Sequence, residues 1–283
     1  MSCDSYEDLW GPFFALFKRH WPDCPFPVYL GSGQLESGQL SVTTLHSDGG
    51  RDWSKCALDY LQRLSTPYVL LMLDDFFFRK PVPTGEVQHC LDFARTNDAV
   101  QVRLIPRPKP TERLAGESLI GESIVGSPYR LSMQAAIWNR SKLIELLRAG
   151  ESIWEFEHNV NKRALEYRNG FYSVWKSVLP YQGFFAHHVV EKGKWLPHEK
   201  WIFGRQKIGC KFACRGVLPW PRLFLYQVVQ LFDAALNLIP WRMKMRIKNA
   251  LKFMLDPLIG QQFRRMGGLE LVSAEKRKKS PVD

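Results

Sequence analysis

Tyr68-Val69-Leu70-Leu71-Met72-Leu73-Asp74-Asp75-Phe76-Phe77-Phe78 decides how the rest of the chain is read. Six apolar residues, opened by Pro67, run straight into two adjacent carboxylates and then three phenylalanines. An apolar run of this length reads as a strand buried on both faces, in a sheet covered by helices. Ionised carboxylates are costly in such surroundings without a partner. At the carboxyl end of a strand in an open α/β sheet, the usual partner is a ligand held in the crevice. Two carboxylates suit a hard divalent cation, and a cation held by so few protein groups commonly shares itself with substrate phosphates. Side chains alternate along a strand. Asp75, further into the loop, is therefore the expected direct metal ligand, and Asp74 a contact to ribose or water. The plainer reading is a strand-end turn in which one Asp caps the next helix.

The flanking sequence supplies the frame. Before the run, 26–30 and 40–45 read as short strands, and 52–64 as a helix with Trp53, Cys56, Ala57, Tyr60, Leu61 and Leu64 on one side. After it, 84–96 reads as a helix and 99–105 as a strand. The Pro- and Arg-rich stretch 103–113 reads as a surface loop. Residues 131–138 are apolar enough for a buried strand, and 140–149 for a helix stopped by Gly150. Alternating strands and helices predict an α/β architecture with a mainly parallel sheet.

The net charge of +11 is unevenly spread: from Lys200 to the end there are 17 Lys/Arg against 5 Asp/Glu, while the rest is nearly neutral. Residues 1–200 are therefore expected to form the catalytic domain. Residues 201–283 are expected to form a basic, amphipathic helical extension with a disordered tail over about 272–283. Trp, Met and Phe interleave with Lys and Arg in 241–254, as in a segment lying on an anionic membrane surface. The apolar stretch 223–239 is broken by Gln227, Gln230, Asp233 and Asn237, and so falls short of a spanning helix. Six scattered cysteines and an N-terminus without the features of a signal peptide favour a cytoplasmic setting, peripheral on the inner face of the cell membrane. GxGxxG, GxxxxGK[ST] and HExxH are all absent, against a dinucleotide oxidoreductase, a P-loop enzyme and a zincin.

Three further groups of residues could carry chemistry. In Glu151-Ser152-Ile153-Trp154-Glu155-Phe156-Glu157-His158, Ser152 and Glu155 match a capping box. Glu157 has no such explanation, and beside Trp154 and Phe156 it suits a desolvated general base. His187 and His188 are candidate metal ligands. Lys194, in a Gly-flanked basic turn, could meet phosphate charge. Cys3-Asp4-Ser5 and Asp52-Trp53 precede helices, whose N-termini favour anionic ligands.

Taken in order, Cys3-Asp4-Ser5-Tyr6, the helix from Trp53, the Asp74-Asp75 strand, Met133-Gln134-Ala135-Ala136-Ile137-Trp138 and Trp154-Glu155-Phe156-Glu157 resemble nucleotide-sugar-dependent glycosyltransferases of the GT-A fold, particularly bacterial polysaccharide and lipopolysaccharide enzymes. The resemblance covers roughly residues 2–195. It implies a Rossmann-like fold and a nucleotide-sugar donor bound through Cys3, Asp4, Ser5, Asp52, Trp53, Asp74 and Lys194. It also implies a divalent cation (Mn²⁺ or Mg²⁺) at Asp75, Asp74 and His187 or His188. Asp-Asp-Phe stands where that family commonly has Asp-x-Asp. Glu157, or Glu155, would be the base of an inverting transfer to a glycan or lipid-linked acceptor, with Trp154 or Trp195 stacking on sugar. Two other readings compete: a nucleotidyltransferase or sugar-phosphate enzyme using the same acids, and a non-enzymatic protein binding membrane or nucleic acid through its basic third. Nucleic acid is the disfavoured partner, because the first two thirds lack interleaved basic and aromatic residues.

Overall fold

In the computed structural model of the chain, residues 1–127, 129–181, 188–191, 193–224 and 228 are described. The chain divides into two compact units, Met1–Val217 and Leu218–Asp283.

The first unit is mixed α/β. After a 3-10 turn at Asp4–Tyr6 come α1 (Glu7–His20), β1 (Val28–Ser32), β2 (Val42–His46), α2 (Trp53–Arg63), β3 (Tyr68–Leu71), α3 (Thr84–Thr96) and β4 (Gln101–Arg103). The short β5 (Glu112–Arg113) and β6 (Ile120–Glu122) precede β7 (Ala136–Asn139), α4 (Arg140–Leu146), α5 (Ile153–Arg163) and β8 (Phe171–Val174). A two-residue hairpin, β9 (Val190–Glu191) and β10 (Lys194–Trp195), leads into α6 (Pro197–Gln206). Local signals explain the helix starts. Asp52 caps α2, Asn139 caps α4, and Ser152 with Glu155 closes the capping box of α5.

The main sheet has six strands in the order β3-β7-β4-β8-β6-β5. Pairings show that β3, β4, β8 and β5 run one way and β7 and β6 the other, so the sheet is mixed. Most strands share a direction, yet β4 and β8 are the only parallel neighbours in it, because β7 is inserted between β3 and β4. A separate parallel pair joins β1 to β2.

Alternation along the strands sorts the core onto two faces. Val102, Ile137, Tyr172 and Val174 pack with α3 through Val87, Cys90 and Ala94. Ala136, Trp138 and Phe171 pack with α2 and α5 through Ala57, Leu61, Phe156 and Val160. A third cluster binds the end of the unit to its start: Trp195 and Phe203 close on Phe77, Leu9 and Leu16.

Three expectations are corrected here. β3 is not buried on both faces: it is the last strand of its sheet, and Tyr68, Val69 and Leu70 are only half-buried. Arg103 is not in a surface loop but closes β4, fully buried. The first unit runs on to Val217, so a boundary at residue 200 would fall inside α6. Positive charge begins to accumulate at Lys200, but packing continues beyond it, since Phe203 and Phe212 press on Trp195. In the second unit, residues 218–224 and 228 are described, with Trp220 and Phe224 exposed. The expected amphipathic helix and basic tail lie outside the described residues.

Candidate functional site

Strand β3 stops at Leu71, and a turn follows in which the Phe76 amide donates to the Leu73 carbonyl at 3.3 Å. Asp74 and Asp75 are the middle of that turn. Each of the three phenylalanines behind them is buried against a different partner. Phe76 stacks on Tyr181 with ring centroids 4.6 Å apart, Phe77 stacks on Phe203, and Phe78 packs on Phe17 and Trp21. The aromatic triplet thus anchors the acid pair from three sides.

The pair is held in poor solvent. Asp74 accepts a hydrogen bond from the Ser2 hydroxyl, which in turn accepts one from Trp10 Nε1 at 2.6 Å. Burial, reinforced by the Asp75 charge, pushes the Asp74 carboxyl up to about 7. Burial also raises Asp75, with His188 opposing. The Val189 amide donates to the Asp75 carbonyl at 3.1 Å, which holds His188 beside the pair. His188 also meets Glu191, Nε2 to Oε2 at 3.0 Å. Asp75 Oδ1 is buried with no hydrogen-bond partner among the described residues.

A second acid stands at the same end of the sheet. Leu71 and Arg103 both lie opposite Ala136, so the carboxyl ends of β3 and β4 meet the stretch that enters β7. In that stretch the Met133 amide donates to Glu157 Oε1 at 2.9 Å. The Ala135 amide donates to the Tyr181 hydroxyl at 3.2 Å, and that hydroxyl donates to Gln134 Oε1 at 3.1 Å. Tyr181 also feels the Asp75 charge. Residues 133–135 therefore tie Glu157 to the surroundings of Asp75. Burial raises the Glu157 carboxyl, while the Met133 hydrogen bond and Arg103 pull the other way. Arg103 donates to the Tyr129 carbonyl at 2.6 Å, the Arg130 carbonyl at 3.3 Å and the Ser123 hydroxyl at 3.1 Å. Burial lowers its guanidinium to about 10, with Glu157 acting against that.

The structure distributes the remaining candidates differently from the expectation. Asp4 accepts backbone hydrogen bonds from Gly33 at 2.8 Å, Gln34 at 2.9 Å and Leu35 at 3.4 Å, so its carboxylate organises the loop after β1. Asp52 is likewise engaged, by the Lys55 and Gly150 amides at 2.9 and 2.7 Å. Cys3 contacts Ser5, Sγ to Oγ at 3.1 Å, and Trp53 packs on Phe156. Glu155 is corrected as a base: its carboxylate accepts from the Ser152 amide at 2.8 Å, and capping holds it below the ordinary range. Trp195 is corrected as a sugar platform, being fully buried among Phe77, Phe203 and Phe212. Its neighbour Lys194 faces outward on the hairpin, by alternation. Trp154 is 56% exposed at the start of α5. His187 lies outside the described residues.

Sequence reading missed Arg103. The signal was present: Gln101 and Arg103 are polar residues two apart in an otherwise apolar strand, and so point to one face.

Among the described residues, no cluster of three or more His, Cys, Asp or Glu is arranged to hold a metal ion. Among the same residues, no helix is long and apolar enough to cross a membrane. No protein-family model, no curated protein and no solved structure matches the chain.

Proposed function

We propose that this protein is a GT-A-type glycosyltransferase that moves a sugar from a nucleotide-diphosphate sugar to a hydroxyl of a glycan or lipid-linked acceptor, with inversion. The observation that carries the proposal is Asp75 Oδ1: a buried carboxylate oxygen without a partner, in a rigidly anchored turn beside Asp74 and His188. A buried acid oxygen left without a hydrogen bond is a place for a ligand atom, and a cation there would add to the positive charge that His188 and the Met1 ammonium already place nearby. A divalent cation there would supply charge neutralisation for a leaving diphosphate.

The residues themselves supply the rest. Glu157 sits across the same sheet edge with its carboxyl raised by burial, which suits an acid that must accept a proton near neutral pH. It takes the proton of the acceptor hydroxyl as that oxygen bonds to the anomeric carbon and the bond to the diphosphate oxygen breaks. The Arg103 charge limits that rise. Trp154, exposed two residues before Phe156, is the platform proposed for a sugar face. Asp4 and Asp52 support the reading only indirectly, by shaping loops at the strand ends.

Docking on an anionic membrane surface belongs to the same proposal and rests on the basic composition of 201–283. The test is product release from a panel of nucleotide sugars with Mn²⁺ or Mg²⁺. Nucleoside diphosphate together with a glycosylated acceptor supports the proposal; pyrophosphate would assign the same acids to nucleotidyl transfer.

A further inference from the structure

Helix α6 turns its two faces to different surroundings. His198, Glu199 and Phe203 are buried, and Phe203 stacks on Phe77, two residues after Asp75. Lys200, Trp201, Gly204 and Arg205 stand at i, i+1, i+4 and i+5, on the opposite face, and all four are exposed. Trp201 is 63% exposed, with the Arg205 guanidinium 4.8 Å from its ring centre.

The charge that α6 shows to solvent has one sign. Glu199 is the only acid of the helix, and it is fully buried, gripped by both terminal nitrogens of Arg79 at 3.0 and 2.5 Å. The inward acid is thus neutralised inside the fold. The outward charges, Lys200, Arg205 and the capping Lys207, are all positive. Two other segments add to them. Lys80, exposed, follows Arg79 in the chain. Arg19, at the end of α1, donates to Gln206 Oε1 at 3.5 Å and to the Gln206 carbonyl at 3.3 Å. Three stretches far apart in sequence therefore bring cations to one helix.

We propose that α6 seats the first unit on an anionic lipid surface, with Trp201 at the level of the headgroups and the surrounding cations on lipid phosphates. The proposal deepens the glycosyltransferase reading and rests on it only for the lipid-linked acceptor. Trp settles at a membrane–water boundary because its ring is apolar and its N–H is polar. Each Lys or Arg near anionic headgroups strengthens attachment about fivefold. The indole stands alone on the convex side of a helix. That suits a flat, fluid surface better than a nucleic acid, which stacks its bases on successive aromatics. Phe203 on the inner side stacks on Phe77, so the acid turn stands about one helix diameter, roughly 10 Å, behind the lipid surface. An acceptor hydroxyl would reach it without its lipid leaving the bilayer.

The test is co-sedimentation of the full chain, without donor or acceptor, with vesicles of phosphatidylcholine alone and of phosphatidylcholine mixed with phosphatidylglycerol. Three variants accompany it: Trp201→Ala, Lys200→Gln with Arg205→Gln, and Lys109→Gln with Lys176→Gln. The last pair removes the same charge from exposed positions on other segments. The parent is expected to bind the mixed vesicles and not the neutral ones. The α6 pair should weaken binding by on the order of 10-fold or more, Trp201→Ala by on the order of 10-fold, and the distant pair by less than about twofold. Equal losses from the two pairs would reduce the attachment to overall charge and overturn the proposal. So would α6 variants that bind as the parent does, a parent that ignores the mixed vesicles, or tighter binding to duplex DNA in the same salt. With no donor present, failure here leaves the donor-binding measurement standing, and failure of donor binding leaves the vesicle result standing.

Discussion

The Met133 amide donates to Glu157 Oε1 across 2.9 Å, tying α5 to the stretch that enters β7. The bond leaves the other carboxylate oxygen of Glu157 for chemistry and fixes where it points. Glutamine can accept the same bond. Glu157→Gln is therefore expected to fold as the parent does and to bind donor normally, while turnover falls by about 10²–10⁴-fold. Donor affinity lost in parallel with turnover would contradict the role of a base.

Arg103 acts on the reaction through Glu157. Arg103→Met removes the nearby positive charge, so the Glu157 carboxyl rises further and the alkaline plateau of the rate profile is reached at higher pH. The same change strands the carbonyls of Tyr129 and Arg130, at a cost of about 1–3 kcal/mol. A purely structural residue would lower stability and leave the pH profile in place.

Asp74 links stability to pH. Its proton is held more tightly in the folded chain, at about 7, than at the ordinary value of 3.8. Its contribution to stability is therefore complete below pH 3.8 and is lost as pH rises through 7. Asp75 is raised in the same direction. Urea unfolding between pH 4 and 8 should show a decline in the parent that Asp74→Asn reduces. Identical profiles would contradict the shift. Carboxylates such as Glu155 and Glu199 are held low and work the opposite way, so the difference between the two proteins is the informative quantity.

Trp195 separates packing from recognition. Trp195→Ala opens a hole among Phe77, Phe203 and Phe212 and is expected to cost about 3–5 kcal/mol. Below its melting midpoint the variant should keep the parent's KM for acceptor. Trp154→Ala should do the reverse, raising KM with little effect on stability. Chemical denaturation and initial rates on both variants check this.

Element positions were well signalled along the chain. Thr84–Thr96 is a helix over the range its pattern predicts, because its buried Val87, Cys90 and Ala94 recur at helical spacing. The capping box at Ser152 and Glu155 was equally plain, since it needs only residues three apart. What failed was whatever depends on distant partners. Trp195 reads the same whether it faces solvent or Phe203. Arg103 looked like the start of a basic loop because local composition cannot show that the 129–130 carbonyls fold over it. β3 was read as interior from its composition, and its position at the edge of its sheet depends on which strands are present beside it. Asp74 and Asp75 were legible as an acid pair, but their desolvation depends on Ser2, Tyr181 and His188, which come from three separate stretches of the chain.

The account turns on Asp75, and the most direct measurement is calorimetric titration of nucleoside diphosphates into the protein and into Asp75→Asn, each with and without Mn²⁺. The parent is expected to bind at least one nucleoside diphosphate about 10-fold or more tightly when Mn²⁺ is present, a difference of about 1.4 kcal/mol, and the variant to lose that gain. Equal binding by both proteins, or no binding of any nucleoside diphosphate by the parent, would contradict the account.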